Sequence, residues 1–338
     1  MTFLIITHNK NGGICMKKKL FLFLLLLCIP ITTIHADDDN TVLLGGDSIG
    51  IEAEYDGVYV TGIYHFKDNE EIIEPEKNIH IKDLIIRVNK NNIDSIQEYQ
   101  TILNSLPQKR NSITLDVIRN NELKTVTLTV IKEENGYQDG LYMKDKVLGI
   151  GTITFYTLNG EYRALGHTIS NEDNDYLQNG TIYPTLITSI KKATTNVAGE
   201  KNGSIDFNSA FGTIEKNNIY GIYGHIKAQI KNRDKIDIAD PDEIKLGDAI
   251  FYTVLEDNII ESFHIKITAI NKNDKEKSIR FISDDERLIQ QCGGIIHGMS
   301  GSPIVQNGKL IGAVTHVFVN DPTRGYAIFA ENMLEDSE

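Results

Sequence analysis

The chain has 338 residues, of which 41% are hydrophobic and 24% charged, and a net charge of −13. This length predicts two domains, each long enough to bury a core of its own. The hydrophobic content excludes a disordered chain, and a single long apolar run excludes a polytopic membrane protein. The acidity argues against a nucleic-acid partner, because phosphate binding needs a basic surface.

The first 36 residues have the pattern of an export signal. A basic stretch at Lys17–Lys19 precedes the twelve-residue apolar run Leu20–Ile31, and Ile34–Ala36 is a cleavage-site pattern. Twelve residues make about 18 Å of helix, which is short for the roughly 30 Å hydrocarbon core of a bilayer. We expect translation to start at Met16 and the signal to be cleaved, with a retained membrane anchor as the alternative.

Cleavage would leave Cys292 as the one cysteine, since Cys15 and Cys28 precede the cut. The mature chain could then form no intramolecular disulfide and no cysteine-based zinc site. The residues that follow Cys292, Gly293–Ile296, are apolar or glycine. This setting favours a small buried side chain over a nucleophile at Cys292. Four lysines and no acid leave with the signal, so 30 basic residues would face 47 acidic ones, a net charge of −17.

Residues 41–131 are predicted to form a small α+β domain. Apolar residues at helical spacing between Ile96 and Leu106 predict an amphipathic helix that ends before Pro107. Two alternating strands follow and are joined by a turn at Arg119–Glu122. The earlier strand candidates are Ile49–Ala53, Gly57–Ile63 and Ile81–Val88.

That order resembles a PDZ domain of the bacterial protease-associated kind. The segment Lys82–Lys90 is similar to the strand motif of those domains, and Leu43, Leu44, Gly45 and Gly46 fit their carboxylate-binding loop. The resemblance implies that this domain binds a peptide by strand addition.

A polar linker at residues 132–140 separates this domain from residues 141–338, where strand candidates recur between turn residues. An all-β barrel or sandwich is therefore expected. The strand candidates are Gly151–Tyr156, Ile182–Ile190, Gly212–Glu215, Ala249–Leu255, Phe263–Ile270, Ile279–Ile282, Pro303–Val305 and Leu310–Phe318.

Two segments in this β region contain residue types that are typical of a catalytic site. Gly298 and Gly301 flank Met299 and Ser300, and such glycines allow a sharp turn whose backbone N–H groups can bind an oxyanion. His167 follows Gly166 at a strand end and would be the base in a Ser–His pair. Because Pro303 begins a strand and not a helix, the context favours a barrel peptidase over an α/β-hydrolase.

The run from Gly298 to Thr323 resembles the stage IV sporulation protein B family, exported serine peptidases of endospore-forming bacteria. Ala164–His167, Ser189–Lys192 and Gly212–Asn217 are similar to the same family. The order of signal, PDZ domain and peptidase domain also agrees. The resemblance implies a mainly β chain with a chymotrypsin-like β-barrel, Ser300 as nucleophile and His167 as general base, and the N–H groups of Gly298 and Ser300 are expected to form the oxyanion hole.

The third catalytic residue implied by the resemblance is an Asp fifteen positions before the serine, which is Asp285. Adjacent Asp284 could substitute, and Asp206 and Asp248 are further candidates. A loop aspartate that only caps or pairs with Arg287 is the alternative interpretation. Most family members carry a proline after this Asp, where the present chain has Glu286.

The other histidines favour structural interpretations. His297 is expected to form part of the site wall, and His316 lies in an apolar strand and is expected to pack there. His225 and His264 have no carboxylate or histidine at metal-ligand spacing, and an HExxH motif is absent. We expect no metal and no cofactor.

The sequence therefore predicts a serine endopeptidase. The resemblance implies self-cleavage, export across the forespore inner membrane into the intermembrane space, and cleavage of a membrane-tethered regulator of an intramembrane protease complex. Activation of a late mother-cell sigma factor would follow. The alternative is a PDZ-bearing scaffold protein with an inactive barrel.

Overall fold

The structure is a computed structural model that describes residues 40–134, 136–170, 177, 179–227 and 229–335. The described residues are mainly β and form one compact unit from Asn40 onward. The expected export signal and the start at Met16 lie outside the described residues. Among the described residues, no helix is long and apolar enough to cross a bilayer.

A small α+β unit occupies residues 57–143. Helix α1 begins after Ser95, whose hydroxyl accepts from the N–H of Glu98, and it ends before Pro107 as predicted. Asn120 and Asn121 both have positive φ and make the predicted tight hairpin turn. The elements of this part are β1 (Thr41–Leu44), β2 (Ser48–Ile63), β3 (Phe66–Asp68), β4 (Glu71–Ile73), a 3-10 helix (Pro75–Lys77), β5 (Leu84–Val88), β6 (Asn91–Asn92), α1 (Ile96–Asn104), β7 (Arg110–Arg119), β8 (Glu122–Glu133) and β9 (Gly136–Gln138).

The next strands extend a sheet whose central path runs β15-β16-β11-β10-β2-β5-β7-β8-β9. Strand β12 pairs with β2, β13 and β14 beside that path, and β1 pairs with β10 and β17. These strands are β10 (Leu141–Tyr156), β11 (Glu161–Ala164), β12 (Asn179–Lys191), β13 (Glu200–Ile205), β14 (Gly212–Ile214), β15 (Lys216–Asn218), β16 (Gly221–His225) and β17 (Lys235–Asp237).

The C-terminal part closes into a six-stranded antiparallel barrel in the order β18-β19-β20-β23-β22-β21. Phe251, Phe263 and Phe281 fill its interior. The elements are β18 (Gly247–Glu256), β19 (Ile259–Ile270), β20 (Ile279–Ser283), α2 (Glu286–Cys292), β21 (Pro303–Gln306), β22 (Lys309–Phe318), β23 (Asp321–Phe329) and α3 (Ala330–Glu335). This barrel agrees with the chymotrypsin-like architecture expected for the peptidase part.

A separate hydrophobic cluster joins the barrel to the sheet. Val42 and Phe155 from the sheet pack with Val305, Leu310 and Ile328 of the barrel. Burial of this apolar surface fixes the two β units against each other, so side chains at their junction have defined positions.

Strands β2 and β10 run through both the small unit and the sheet of the peptidase part. The first half of β2 pairs with β12 and with residues 146–152 of β10, whereas its second half pairs with β5 and with residues 141–144. Residues 41–56, which the sequence pattern assigned to the small domain, therefore belong to the peptidase sheet. The predicted linker at 132–140 contains the end of β8 and all of β9, which pair with each other.

The predicted carboxylate-binding loop also lies in this sheet. Leu43 and Leu44 pair with β10, and Leu43 pairs with β17 as well. The N–H groups of Gly45 and Gly46 donate to the carbonyls of Thr154 and Ile153. The structure thus corrects the expectation for Leu43–Gly46, because the amides that would bind a peptide carboxylate are already used by β10.

Candidate active site

Ser300 lies in the loop that leads from α2 into β21. Gly298 and Gly301 have φ of +94° and +92°, which side chains with a Cβ rarely adopt. A Cβ at Gly301 would also lie 1.9 Å from the carbonyl oxygen of Thr152. Both flanking glycines are therefore required by the backbone path, as the sequence pattern predicts.

Two buried threonines of β10 hold this loop by its carbonyl groups. Thr152 Oγ1 donates to Gly298 O at 2.8 Å, and Thr154 Oγ1 donates to Gly301 O at 2.8 Å. The N–H of Thr152 donates to Ser300 O at 2.9 Å. Both threonine residues have no exposed surface, so water does not compete for these bonds.

The N–H groups of Gly298 and Ser300 are left without acceptors. Neither donates a hydrogen bond to any residue that the structure describes. Both residues line the same cavity. Two unpaired amides fixed beside a serine hydroxyl can stabilise a developing oxyanion without reorganisation, which is the arrangement of an oxyanion hole.

His167 follows β11 after a turn made by Leu165 and Gly166, whose φ values are +69° and +70°. The imidazole is half-buried, and its Nδ1 lies 2.9 Å from Thr168 O. A carbonyl oxygen can only accept, so Nδ1 carries the proton and Nε2 is free to accept one in the neutral ring. Burial lowers the pKa of His167, against an opposing contribution from Thr168 O, so the ring is neutral over a wider pH range.

Ser300 and His167 line one cavity of about 380 Å³, together with His297 and Gly298. The structure thus brings together two residues that stand 133 positions apart in the chain. The Ser300 hydroxyl donates to Thr315 O at 3.1 Å. His297 forms part of the wall, as expected, and its backbone N–H donates to Gly199 O.

His316 packs against the catalytic candidate. Its ring centroid lies 5.3 Å from that of His167, and its Nδ1 is buried without a hydrogen-bond partner in the described part of the chain. Burial and the neighbouring His167 lower the pKa of His316 to about 4. The side chain is therefore neutral at physiological pH and supports the His167 ring without placing a charge beside it.

The aspartates considered for the third catalytic residue do not line the cavity of Ser300 and His167. Asp285 is the N-cap of α2: its oxygens accept from the N–H groups of Arg287, Leu288 and His264 at 3.0, 3.3 and 3.1 Å. Burial alone would raise the pKa of Asp285, but the N–H groups of His264 and Leu288 and the guanidinium of Arg287 lower it. None of its hydrogen bonds goes to His167, whose Nδ1 is already bonded to Thr168 O.

Asp284 and Asp248 both contact His264 and not His167. Asp284 Oδ1 lies 2.5 Å from His264 Nδ1, and Asp248 Oδ1 lies 3.3 Å from Nε2 of the same ring. Lys266 and His264 lower the pKa of Asp284 to about 2. Asp206 closes a local turn by accepting from the N–H of Asn208. The His264 cluster was not predictable from local spacing, because its members come from three separate segments of the chain.

Cys292 is fully buried in the barrel core, and burial raises the pKa of its thiol to about 11. This confirms the interpretation of Cys292 as a small apolar side chain. Within the described ranges, one group has the side-chain types and closeness of a metal site: exposed His65 and Glu76 with half-buried Glu74, on the small unit. His65 bonds to Glu76, and Lys77 pairs with Glu74.

Lys201 is a buried residue of the site that sequence reasoning missed. Its side chain packs against Gly298, where a Cβ would lie 3.0 Å from Lys201 Cδ. The Nζ group donates to Thr253 Oγ1 at 2.7 Å and to Ser48 Oγ at 3.2 Å. No described carboxylate lies within ion-pair distance of it, and burial lowers the pKa of Lys201 to about 7. An uncompensated cation beneath the loop is the reason for that shift.

Replacing Lys201 by Met is expected to stabilise the protein in a pH-dependent way. Above about pH 7 the folded lysine is largely neutral, whereas the unfolded lysine stays protonated up to its ordinary pKa. The free energy of unfolding of the wild type should therefore gain up to about 1.4 kcal/mol per pH unit between these two values from this one group.

Urea unfolding at pH 7, 8 and 9 checks this prediction. The stability advantage of Lys201→Met should be largest near pH 7 and decrease as the pH rises. Lys191→Met, at an exposed lysine paired with Glu200, is the control and should show no such trend. Parallel pH profiles for the wild type and Lys201→Met would contradict the assignment of a buried neutral lysine.

Comparison with known proteins agrees with this geometry. The family model described as SpoIVB peptidase S55 matches residues 135–334, which is more than half of the chain. No curated protein gives a significant match. The matched range contains His167, Ser300 and the whole C-terminal barrel. The chain belongs to the SpoIVB peptidase S55 family and is a serine endopeptidase of sporulation.

Proposed function

We propose that Ser300 is the nucleophile of this endopeptidase and His167 its general base. The observation that carries the proposal is the shared cavity, in which the serine, the imidazole and two residues with unpaired N–H groups meet. Gly298 and Ser300 supply those N–H groups. Acyl transfer needs these parts together: a nucleophile, a proton acceptor and donors for the oxyanion.

The reaction follows from the proton positions. His167 Nε2 removes the proton from Ser300 Oγ as this oxygen attacks the scissile carbonyl carbon. The N–H groups of Gly298 and Ser300 bind the oxyanion of the tetrahedral intermediate. When this intermediate collapses, Nε2–H gives its proton to the leaving amine, and water then hydrolyses the acyl-enzyme by the same route. The Ser300 hydroxyl must first turn from Thr315 O towards His167.

The Thr168 carbonyl takes the place that a carboxylate holds in a Ser-His-Asp triad. Its hydrogen bond fixes the Nδ1–H tautomer and orients the ring, and it stabilises the imidazolium that forms during attack. Asp285 serves the site in another way, because its cap begins the helix that leads directly into the Ser300 loop. We propose a positioning role for Asp285.

The biological substrate is proposed from family resemblance. The export pattern in residues 1–36 supports action outside the compartment of synthesis, in the space between the forespore membranes. There the peptidase would process its own N-terminal part and cleave a membrane-tethered regulator of an intramembrane protease complex. Release of that protease would activate a late mother-cell sigma factor.

The small α+β unit is proposed to bind peptides as a PDZ-like module. Support comes from the Lys82–Lys90 motif and from a cavity of about 340 Å³ beside α1, lined by Tyr99, Leu103 and Met143 among others. Strand addition next to a helix is the PDZ mode of recognition. Strand β10 lines this cavity at Met143 and holds the Ser300 loop at Thr152. A peptide bound in the cavity would therefore contact the strand that supports the loop.

Substitution of Ser300 tests the proposed chemistry. Ser300→Ala should abolish self-processing and lower casein cleavage by about 10⁶-fold, because the nucleophilic oxygen is gone. Ser302→Ala is a matched control in the same loop, since the Ser302 hydroxyl is buried and has no partner among the described residues. It should cleave at nearly the wild-type rate. Processed products from Ser300→Ala would show that another group performs the cleavage.

Paired substitutions at Asp285 test its positioning role. Asp285→Asn keeps a side-chain oxygen at the helix N-cap and should retain most of the turnover. Asp285→Ala loses the cap, which costs about 1 kcal/mol of stability, and should lower turnover together with stability. Casein cleavage and thermal unfolding are measured on both variants. A loss near 10⁴-fold in a stable Asp285→Asn protein would instead indicate an orienter of His167.

A further inference from the structure

The cavity that contains Ser300 and His167 has an aliphatic wall. Five aliphatic side chains line it, and its other lining groups are two histidines, glycines and hydroxyl residues. No Asp, Glu, Lys or Arg among the described residues lines it. The aliphatic lining residues are Ile51, Val147, Ile150, Leu165 and Ile169.

This wall is anchored in the core of the sheet. Ile51 and Leu165 are buried members of that core, and Val147 and Ile169 pack against it with part of their surface exposed. The partly exposed aliphatic surface faces the cavity of the nucleophile. Its volume of about 380 Å³ is within the range of ligand pockets, roughly 300 to 1,000 Å³.

Strand β10 provides a backbone edge beside the wall. Over residues 146–150 its one strand partner in the described part of the chain is β2. The opposite edge can therefore accept an extended peptide by strand addition. A peptide there would run along the wall towards the Ser300 loop, which β10 itself holds two residues further on at Thr152.

Gly149 is the open position in this wall. A Cβ added there would meet no atom within 4 Å, and the φ of Gly149 lies outside the left-handed region. The backbone thus accepts any side chain at this position without strain. Space at Gly149 is consequently available to a substrate.

We propose that this wall is the specificity pocket of the peptidase, which accepts an uncharged aliphatic side chain next to the scissile bond, and that Gly149 sets its depth. The inference rests on the proposed roles of Ser300 and His167. A charged side chain would lose its water in this pocket without gaining a partner, which is unfavourable. An aliphatic side chain gains from burial, and one methylene in such a pocket changes kcat/KM by about 10- to 200-fold.

Cleavage-site mapping tests the substrate class. The full chain is incubated with denatured casein, and mass spectrometry identifies the cut bonds. Decapeptides that differ in one residue next to the preferred bond are then compared. Leu, Ile, Val or Met should exceed Lys and Asp by at least about 100-fold in kcat/KM. A preference for Lys, Arg, Asp or Glu would overturn the inference while leaving the catalytic proposal intact.

Gly149→Leu tests the depth of the pocket. It should lower kcat/KM by about 10- to 200-fold for the decapeptide with Leu next to the scissile bond. For a decapeptide with Ala at the same position, kcat/KM should change by only a few fold, because the smaller side chain still fits. Leu246→Ala, at an exposed leucine outside β10 and outside both cavity linings, is the control and should leave the cleavage of both peptides unchanged. Thermal unfolding shows whether each variant is folded. If Gly149→Leu does not fold, Gly149→Ala provides a smaller reduction of the pocket depth.

The outcomes separate the two proposals. Equal losses for all peptides in a folded Gly149→Leu or Gly149→Ala protein would overturn the role of Gly149 in specificity, although catalysis by Ser300 would stand. Casein cleavage that persists in Ser300→Ala would contradict the catalytic proposal and with it the pocket. Aliphatic selectivity that Gly149 variants shift towards smaller side chains supports both.

Discussion

The hydrogen bonds between β10 and the Ser300 loop are the constraint on which the rest of the structure depends. Thr152 and Thr154 are fully buried, so water does not compete with their hydroxyls for the carbonyls to which they donate. By holding the carbonyls of Gly298 and Gly301, they direct the chain into left-handed conformations that glycine adopts readily. The amides of Gly298 and Ser300 are consequently left unpaired. Unsatisfied N–H donors are thus concentrated where an oxyanion would bind.

The same strand connects three parts of the molecule. Its first residues pair with β2 in the small unit, Val147 and Ile150 contribute to the aliphatic wall, and Thr152 and Thr154 hold the loop. The family match covers β10 but not β1 or β2. Both of those strands pair with β10, so the N-terminal segment is part of the sheet that positions the site. A peptide bound on the small unit would therefore contact the same strand as the substrate.

Electrostatics at the site are governed by burial. No Asp, Glu, Lys or Arg among the described residues lines the cavity, His316 stays neutral, and the pKa of His167 is lowered by burial. The acidic residues near the loop are used for capping α2 and for contacts to His264. A neutral imidazole with a defined tautomer is what a general base requires. Buried Lys201 is the exception, and its lowered pKa allows it to lose its charge.

Residue types and local spacing were sufficient to select Ser300 and His167 as candidates and to predict α1 and the hairpin at Asn120 and Asn121. The flanking glycines and the two asparagines were recognisable because they occupy backbone conformations that few residues adopt. The extent of β10 was not predictable, because residues 141–150 mix charged and apolar side chains and owe their strand to pairing with the distant β2. The positions of the Asp285 and Lys201 side chains depend on contacts with remote segments, which local spacing does not reveal. The residue types of Leu43–Gly46 fit a peptide-binding loop and a sheet edge equally well, so the pattern could not distinguish the two.

Covalent labelling tests the central claim most directly. The wild-type protein is treated with diisopropyl fluorophosphate. A reactive serine oxygen attacks the phosphorus of this reagent and displaces its fluoride, and the adduct is located by peptide mass spectrometry. We expect one phosphorylated serine, Ser300, with labelling that is lost in Ser300→Ala and greatly slowed in His167→Ala. Labelling at another residue, or labelling of Ser300 at the same rate without His167, would contradict it.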